Sequence, residues 1–217
     1  MKFKKERAKS IFRVYLELSK LNILSLVLVS TFLGYYLGNN GIGELSRVIY
    51  TLLGTSLTAA GSGALNHYLE RNSDSYMERT KNRPLPAGLI SPLNVIIYGV
   101  IMILGGSLLL VFKINLLTGF LSLLTAFLYV VVYTPLKRIT WLNTSVGSVP
   151  GAMPIIGGWT AATGEIGTMA WILFALMYLW QHPHFYSIAW MCKEDYAAAS
   201  FKMLPVIELD GSRTMRQ

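Results

Sequence analysis

Six stretches of this chain run for more than twenty residues without a single Lys, Arg, Asp or Glu: 21–43, 48–69, 84–112, 114–136, 139–164 and 166–192. The hydrocarbon core of a bilayer is about 30 Å thick and takes roughly twenty helical residues to cross, so each stretch is long enough to span it. Backbone polar groups in lipid must be satisfied within the structure, and these runs lack the two-residue alternation of barrel strands. The expected fold class is therefore all-α, a polytopic membrane helical bundle. The expected spans are 22–38, 48–68, 90–112, 115–134, 143–162 and 168–190. Composition agrees: 53% of the 217 residues are hydrophobic and 14% charged, against roughly 45–50% and about 25% in a soluble domain. That leaves too little polar surface for an ordinary soluble enzyme. The first stretch is long enough to span and no small-residue cleavage motif follows it, so no cleavable signal peptide is expected.

The basic residues are unevenly distributed between the two ends of these spans. Lys2, Lys4, Lys5, Arg7, Lys9, Arg13 and Lys20 precede the first; Arg71, Arg79, Lys81 and Arg83 follow the second; Lys137 and Arg138 follow the fourth. Lys193, Lys202, Arg213 and Arg216 follow the sixth, and only Arg47 and Lys113 fall on the other side. By the positive-inside rule the N-terminus is cytoplasmic, and a bacterial inner membrane is the simplest location. The formal charge of +8 is thus a property of topology, and with no nucleic-acid motif beside it no nucleic-acid partner is expected. The chain divides into a basic cytoplasmic segment at 1–20, a six-helix membrane domain at 21–192 and a cytoplasmic segment at 193–217. Ile11, Phe12, Val14, Tyr15 and Leu18 could share the face of a surface helix, although topology determination is the plainer role for this segment. Cys192, the single cysteine, excludes an internal disulfide and cannot by itself form a thiolate metal site.

The residues after the second stretch carry the chemistry. Asn66, Glu70 and Asp74 are spaced i, i+4 and i+8, which on a helix drifts by only about 80° and sets three oxygen donors along one face, about 6 Å apart. Mg²⁺ prefers one or two carboxylates together with phosphate and water oxygens, so such a face suits a Mg²⁺–diphosphate unit. Arg79, Lys81 and Arg83 come directly after it and can take the phosphate oxygens that the metal leaves free. Taken alone, these basic residues read as a solvated loop obeying the positive-inside rule. The carboxylates do not, because acids at a membrane boundary are costly and mark function.

The pattern formed by Asn66, Glu70, Asp74, Met77, Arg79, Thr80, Arg83, Pro84 and Leu85 resembles the first Asp-rich motif of the UbiA-type intramembrane prenyltransferases, in the form typical of heme O synthases. Glu70 stands where the common pattern has Asp, which keeps a carboxylate but lengthens its reach by one methylene. The segment Tyr133-Thr134-Pro135-Leu136-Lys137-Arg138, with Thr140 and Asn143, resembles a second stretch of that family, succeeded by a helix rich in Gly and Pro. Trp180, Pro183, His184 and Phe185, then Asp195, Tyr196 and Ala198, resemble a third, where other UbiA-type enzymes carry a second Asp-rich motif.

The resemblance implies transfer of a farnesyl group from farnesyl diphosphate to the vinyl group of heme b, giving heme O and diphosphate. It implies Mg²⁺ as cofactor, held by Glu70, Asp74 and Asp195. Asn66, Arg79, Lys81, Arg83, Lys137 and Arg138 are implied to hold the diphosphate, with Asp74, Lys137 and Arg138 acting on the reaction itself. His184 becomes a candidate heme contact; for a histidine within a membrane, hydrogen bonding between helices is the usual role, and His182 and His67 are weaker candidates. Implied partners are farnesyl diphosphate, heme b, the lipid bilayer and a heme A synthase or oxidase assembly protein. The family usually has about nine spans, so six suggest a partial sequence. Two other readings share parts of this pattern: a UbiA-type enzyme acting on an aromatic quinone precursor, and a non-enzymatic membrane transporter or assembly factor whose carboxylates line an ion path.

Overall fold

The structure is a computed structural model that describes residues 10–208, 210–212 and 214. The basic residues expected at Lys2, Lys4, Lys5, Arg7, Lys9, Arg213 and Arg216 lie outside the described residues. Every regular element among the described residues is helical. A short helix α1 (Ile11–Leu18) is capped by Ser10, whose hydroxyl accepts from the Arg13 N–H at 3.4 Å. Val14 and Leu18 are buried against Ala64, Leu85, Ile90 and Val95, whereas Ile11 and Phe12 are exposed. The basic N-terminal segment thus ends in an amphipathic helix that packs along the bundle. At Lys20 the backbone turns through the left-handed region, with φ 49°, and α2 (Leu21–Asn39) begins.

Helix α3 (Leu45–Asp74) is 30 residues long, α4 (Pro92–Lys113) 22, and α5 (Leu116–Phe127) 12. From α5 the chain continues without a break through a π-helical turn, Leu128–Tyr133, into α6 (Thr134–Leu136). Then come α7 (Asn143–Thr163), α8 (Thr168–Met191), α9 (Lys193–Ala198) and α10 (Leu204–Ile207). Among the described residues, four segments are both long and apolar enough to cross a membrane: α2, α3, α4 and the continuous run Leu116–Leu136. The other two expected spans, α7 and α8, have 21 and 24 residues. They reach far enough by length but are less apolar than the other four; α7 also contains Pro150 and Pro154, and α8 contains Pro183 between two histidines. The second expected span is shorter than the helix that contains it, for α3 continues beyond residue 68 through the polar motif to Asp74. It can do so because the acids of its last turns have cationic partners.

Packing relies on small residues, as is usual where lipid removes the hydrophobic advantage of burying large ones. A Cβ at Gly34 of α2 would lie 2.0 Å from the Ile155 carbonyl oxygen of α7, and one at Gly158 1.9 Å from the Thr31 carbonyl oxygen. Helices α3 and α4 touch in the same way at Gly61 and Gly99 and at Gly54 and Gly106. Residues Ala60 to Ala64 of α3 are all buried, which makes it the central helix. Hydroxyl pairs tie α5 inward: Ser122 donates to Thr58 of α3 at 2.9 Å, and Thr118 and Thr160 of α7 lie 3.0 Å apart. Large apolar side chains face outward, among them Leu26, Ile101, Phe112, Leu116 and Leu176.

The π-helical turn has a local cause. Pro135 lacks an N–H and its ring collides with the carbonyl four residues back, Val131, so the chain widens by one residue per turn ahead of it. The Thr134 hydroxyl then donates to the Tyr129 carbonyl at 2.8 Å, five residues back.

Candidate functional site

Because consecutive long helices run in opposite directions, the start of α2, the end of α3, the end of α6 and the end of α8 lie at one face of the bundle. Four segments far apart in sequence therefore bring their polar residues together there. On α3, Asn66 and Asp74 are fully buried and Glu70 nearly so. Lys137, just past α6, donates to the Glu70 Oε1 at 2.6 Å. Arg83, in the segment after α3, places its Nη1 2.8 Å from Asp74 Oδ1 and 2.9 Å from Oδ2. Thr80 fixes the same turn by donating to the Asp74 carbonyl at 3.0 Å.

Asn66 is oriented by two contacts. Its Nδ2 donates to the Thr134 hydroxyl at 2.9 Å, and its Oδ1 accepts from Lys20 Nζ. Since Thr134 spends its own proton on Tyr129, it can only accept from the amide, and the amide oxygen is left facing Lys20. The cluster thus contains three cations, Lys20, Arg83 and Lys137, and two carboxylates, Glu70 and Asp74. Burial pulls the Lys20 ammonium down to about 7, against the opposing pull of Glu70. Burial would also lower Lys137, but the Glu70 carboxylate outweighs it and holds Lys137 above the ordinary lysine range.

The third segment reaches the same face. Asp195, in the first turn of α9, accepts from the Glu78 N–H at 3.0 Å, four residues beyond Asp74. Met77 is buried among Ala189, Ala199, Phe201 and Met203, which packs the segment after α3 against the end of α8 and the stretch 199–203. The Lys202 N–H donates to the Lys137 carbonyl at 2.7 Å, and Asn143 bridges the Thr140 and Lys202 carbonyls.

The expected metal triad takes a different form. Among the described residues no three of His, Cys, Asp and Glu are grouped closely enough to hold an ion between them. Asp195 is engaged by the Glu78 backbone, while Glu70 and Asp74 are engaged by cations, so the three carboxylates do not converge on one point. The donors on α3 still fit Mg²⁺ in the mode that the ion prefers, with one or two carboxylates and an amide oxygen from the protein and the rest from phosphate and water. Of the expected phosphate cations, Arg83 and Lys137 are in the cluster. Arg79, Lys81 and Arg138 stand outside it, and Lys81 pairs with Glu78 at 2.5 Å.

Among the histidines, His184 is exposed on α8, its ring stacked on Trp180 at 4.9 Å. His182 makes the helix-to-helix contact usual within membranes: Nδ1 lies 2.9 Å from the Tyr178 carbonyl and Nε2 3.2 Å from the Ser145 hydroxyl of α7. His67 is buried next to Asn66, with no hydrogen-bond partner at either ring nitrogen.

Two members of the cluster, Lys20 and Thr134, are not among the site residues that the sequence points to. Thr134 lies inside the Tyr133–Arg138 motif, but a hydroxyl there gives no reason to expect it to orient a side chain 68 residues away. Lys20 is the last cation before the first uncharged stretch, and that position is its only distinguishing mark.

Comparison with known proteins gives the same grouping. A model of the UbiA prenyltransferase family matches residues 27–217. The chain is 44% identical to the protoheme IX farnesyltransferase of Solibacter usitatus, over 94% of this chain and 73% of that protein. It is 47% identical to the protoheme IX farnesyltransferase of Salinibacter ruber, over 94% and 72%. In fold it is similar to a UbiA homologue from Archaeoglobus fulgidus whose structure holds DMAPP and Mg²⁺, with a TM-score of 0.75 at 19% identity, over 93% of this chain and 71% of that one. A digeranylgeranylglyceryl phosphate synthase structure gives a TM-score of 0.77 at 17% identity, over 94% and 71%. With its apolar spanning helices and its buried acid–base cluster at one membrane face, this chain is a multi-pass membrane protein that belongs to the UbiA prenyltransferase family.

Proposed function

We propose that this protein transfers the farnesyl group of farnesyl diphosphate to heme b, with water, giving heme O and diphosphate. The observation that carries the reading is the buried cluster in which Asp74 and Glu70 already hold Arg83 and Lys137, with Lys20 beside them as a third basic group. Buried charges need compensation, and a diphosphate ester accompanied by Mg²⁺ brings both an anion for these cations and a cation for these carboxylates. The acceptor is read from the names of the similar proteins, protoheme IX farnesyltransferases.

In this reading Glu70 and Asp74 hold the metal, with the Asn66 Oδ1 beside them and Asp195 next to the site on α9. Bound Mg²⁺ supplies positive charge to the diphosphate oxygens. Arg83 and Lys137 are already fixed by the carboxylates and lie where the leaving group gains charge as the allylic C–O bond breaks. Cations held in place beforehand favour that transition state over the ground state. The apolar bundle shelters the allylic cation from early capture by water until the vinyl carbon attacks. The outlying cations Arg79, Lys81 and Arg138 draw the diphosphate to this face without touching the reacting atoms. His184 contacts the heme from the outer side of α8. The face carrying the cluster is cytoplasmic, as is the N-terminus, in a bacterial inner membrane.

Incubation with labelled farnesyl diphosphate, Mg²⁺ and either heme b or 4-hydroxybenzoate tests the assignment. Label in heme supports it. Label in the benzoate instead would assign a quinone-type acceptor, and label in neither with folded protein would remove the prenyl-transfer reading.

A further inference from the structure

We propose that the Lys20 ammonium acts as a stand-in cation: it occupies the Asn66 Oδ1 while the site is empty and leaves it when metal and diphosphate arrive. This rests on the metal–diphosphate reading above and deepens it. Three observations carry the inference. First, the Asn66 amide is fixed by its own hydrogen-bond chain. Its Nδ2 donates to Thr134, whose hydroxyl donates to the Tyr129 carbonyl, so the only free acceptor, Oδ1, points into the cluster. An amide oxygen is a hard donor of the kind Mg²⁺ takes, and here an ammonium takes it. A divalent ion and an ammonium on one oxygen repel each other, so the two occupants exclude one another.

Second, Lys20 belongs to none of the spanning helices and sits at the joint between α1 and α2, where its backbone is left-handed at φ 49° and ψ 57°. The ammonium is a point charge on a flexible four-carbon stem, unlike the planar fork of Arg83 or the tightly paired head of Lys137. Third, it has somewhere to go. A cavity of about 410 Å³ opens beside it, its walls including Leu16, Glu17, Lys20, Asn22, Ile23 and Arg83. Two of these walls, Lys20 and Arg83, are basic and one, Glu17, is acidic, so the side of the space shared by Lys20 and Arg83 is the one that suits the outer oxygens of a bound diphosphate. Lys20 therefore has a partner in each state: the amide oxygen before loading and a phosphate oxygen after it. Metal and diphosphate binding are coupled through this one side chain, since each makes the move easier for the other.

The test is Mn²⁺ binding, monitored by electron paramagnetic resonance on the full chain in lipid nanodiscs, with and without inorganic diphosphate. With no diphosphate present, Lys20→Met and Lys20→Gln should bind Mn²⁺ at least about tenfold more tightly than the unmodified protein, because a contacting like charge has gone. Lys20→Arg, which keeps the charge, should stay weak. Diphosphate should tighten Mn²⁺ binding steeply in the unmodified protein and far less in Lys20→Met. A merely structural lysine would move none of these affinities in folded protein. Equal or weaker Mn²⁺ affinity in both neutral variants, with unchanged thermal unfolding, overturns the stand-in role and leaves the metal site intact. Absence of Mn²⁺ binding in every form, even with diphosphate, overturns both the role and the reading on which it rests.

Discussion

Arg83 grips Asp74 through one nitrogen, Nη1, which lies nearly equidistant from both carboxylate oxygens at 2.8 and 2.9 Å. The Asp74 side chain has no exposed surface, and the Arg83 side chain keeps about a fifth of its own. The remaining guanidinium nitrogens are thus free to meet a second anion while Asp74 stays neutralised.

Replacing Arg83 with Ala should leave Asp74 as a buried charge without its partner, costing about 3–5 kcal/mol of stability and nearly all transfer activity. Arg79→Ala removes an exposed cation and should stay within roughly 0.5 kcal/mol in stability, with only a raised KM for the diphosphate. Thermal unfolding in detergent and steady-state transfer assays read both. Equal damage from the two substitutions would place Arg79 among the residues that hold the diphosphate directly.

Asp74→Asn keeps the shape of the side chain and loses its charge. Transfer should fall by at least about a hundredfold, as when a fixed electrostatic group is removed from a reacting centre, while heme binding stays close to normal. A heme titration read by absorbance and a transfer assay on the same preparation separate the two effects. Unchanged turnover would take Asp74 out of the metal site.

The Glu70–Lys137 pair, 2.6 Å apart, is open to a double-mutant cycle. Glu70→Gln or Lys137→Met alone strands a buried charge and should cost about 3–5 kcal/mol. The double substitution should recover at least about 1.5 kcal/mol of the summed loss, since the two side chains touch. Additive losses in unfolding experiments would show that each residue has a stronger partner elsewhere.

Two neighbouring glycines of α7 should respond in opposite ways. A Cβ at Gly158 meets the Thr31 carbonyl oxygen at 1.9 Å, whereas one at Gly157 meets nothing within 4 Å. Gly158→Ala should therefore destabilise the bundle by about 1–3 kcal/mol through overpacking. Gly157→Ala should be neutral or stabilising by up to about 1 kcal/mol, the usual gain over glycine inside a helix. Unfolding in graded denaturing detergent measures both, and similar losses at the two sites would contradict the close α2–α7 contact.

The helices are legible because charge avoidance over twenty residues is a direct requirement of the bilayer, and the ends of α2, α4, α7 and α8 fall within two residues of expectation, although of these only α2 and α4 are both long and apolar enough to cross a membrane. The end of α3 is not, because a rule that keeps acids out of membranes gives no credit for partners supplied by residues 83 and 137. The spacing of Asn66, Glu70 and Asp74 identifies the face, but spacing on one helix says nothing of which cations reach it. Arg79, Lys81, Arg83, Lys137 and Arg138 look alike in the sequence; only the path of the segment after α3 and the widened turn before Pro135 separate the two that enter the cluster. Lys20 is hidden by a signal that treats every lysine on that side equally. Motif order suggests that Asp195 converges with Glu70 and Asp74, and the structure instead gives its carboxylate to a backbone N–H of the intervening segment.

The widened turn at Leu128–Tyr133 sets the phase of everything beyond it. One residue more or fewer on a helix rotates the downstream side chains by about 100°. Because Pro135 still forces a widened turn ahead of it, a single-residue deletion between 128 and 133 would not be absorbed by regular winding and would swing Lys137 a quarter-turn or more away from Glu70, while Thr134 lost its hold on Asn66. In this short segment the number of residues is under tighter constraint than their identity, so an otherwise mild deletion would be more damaging than most substitutions there.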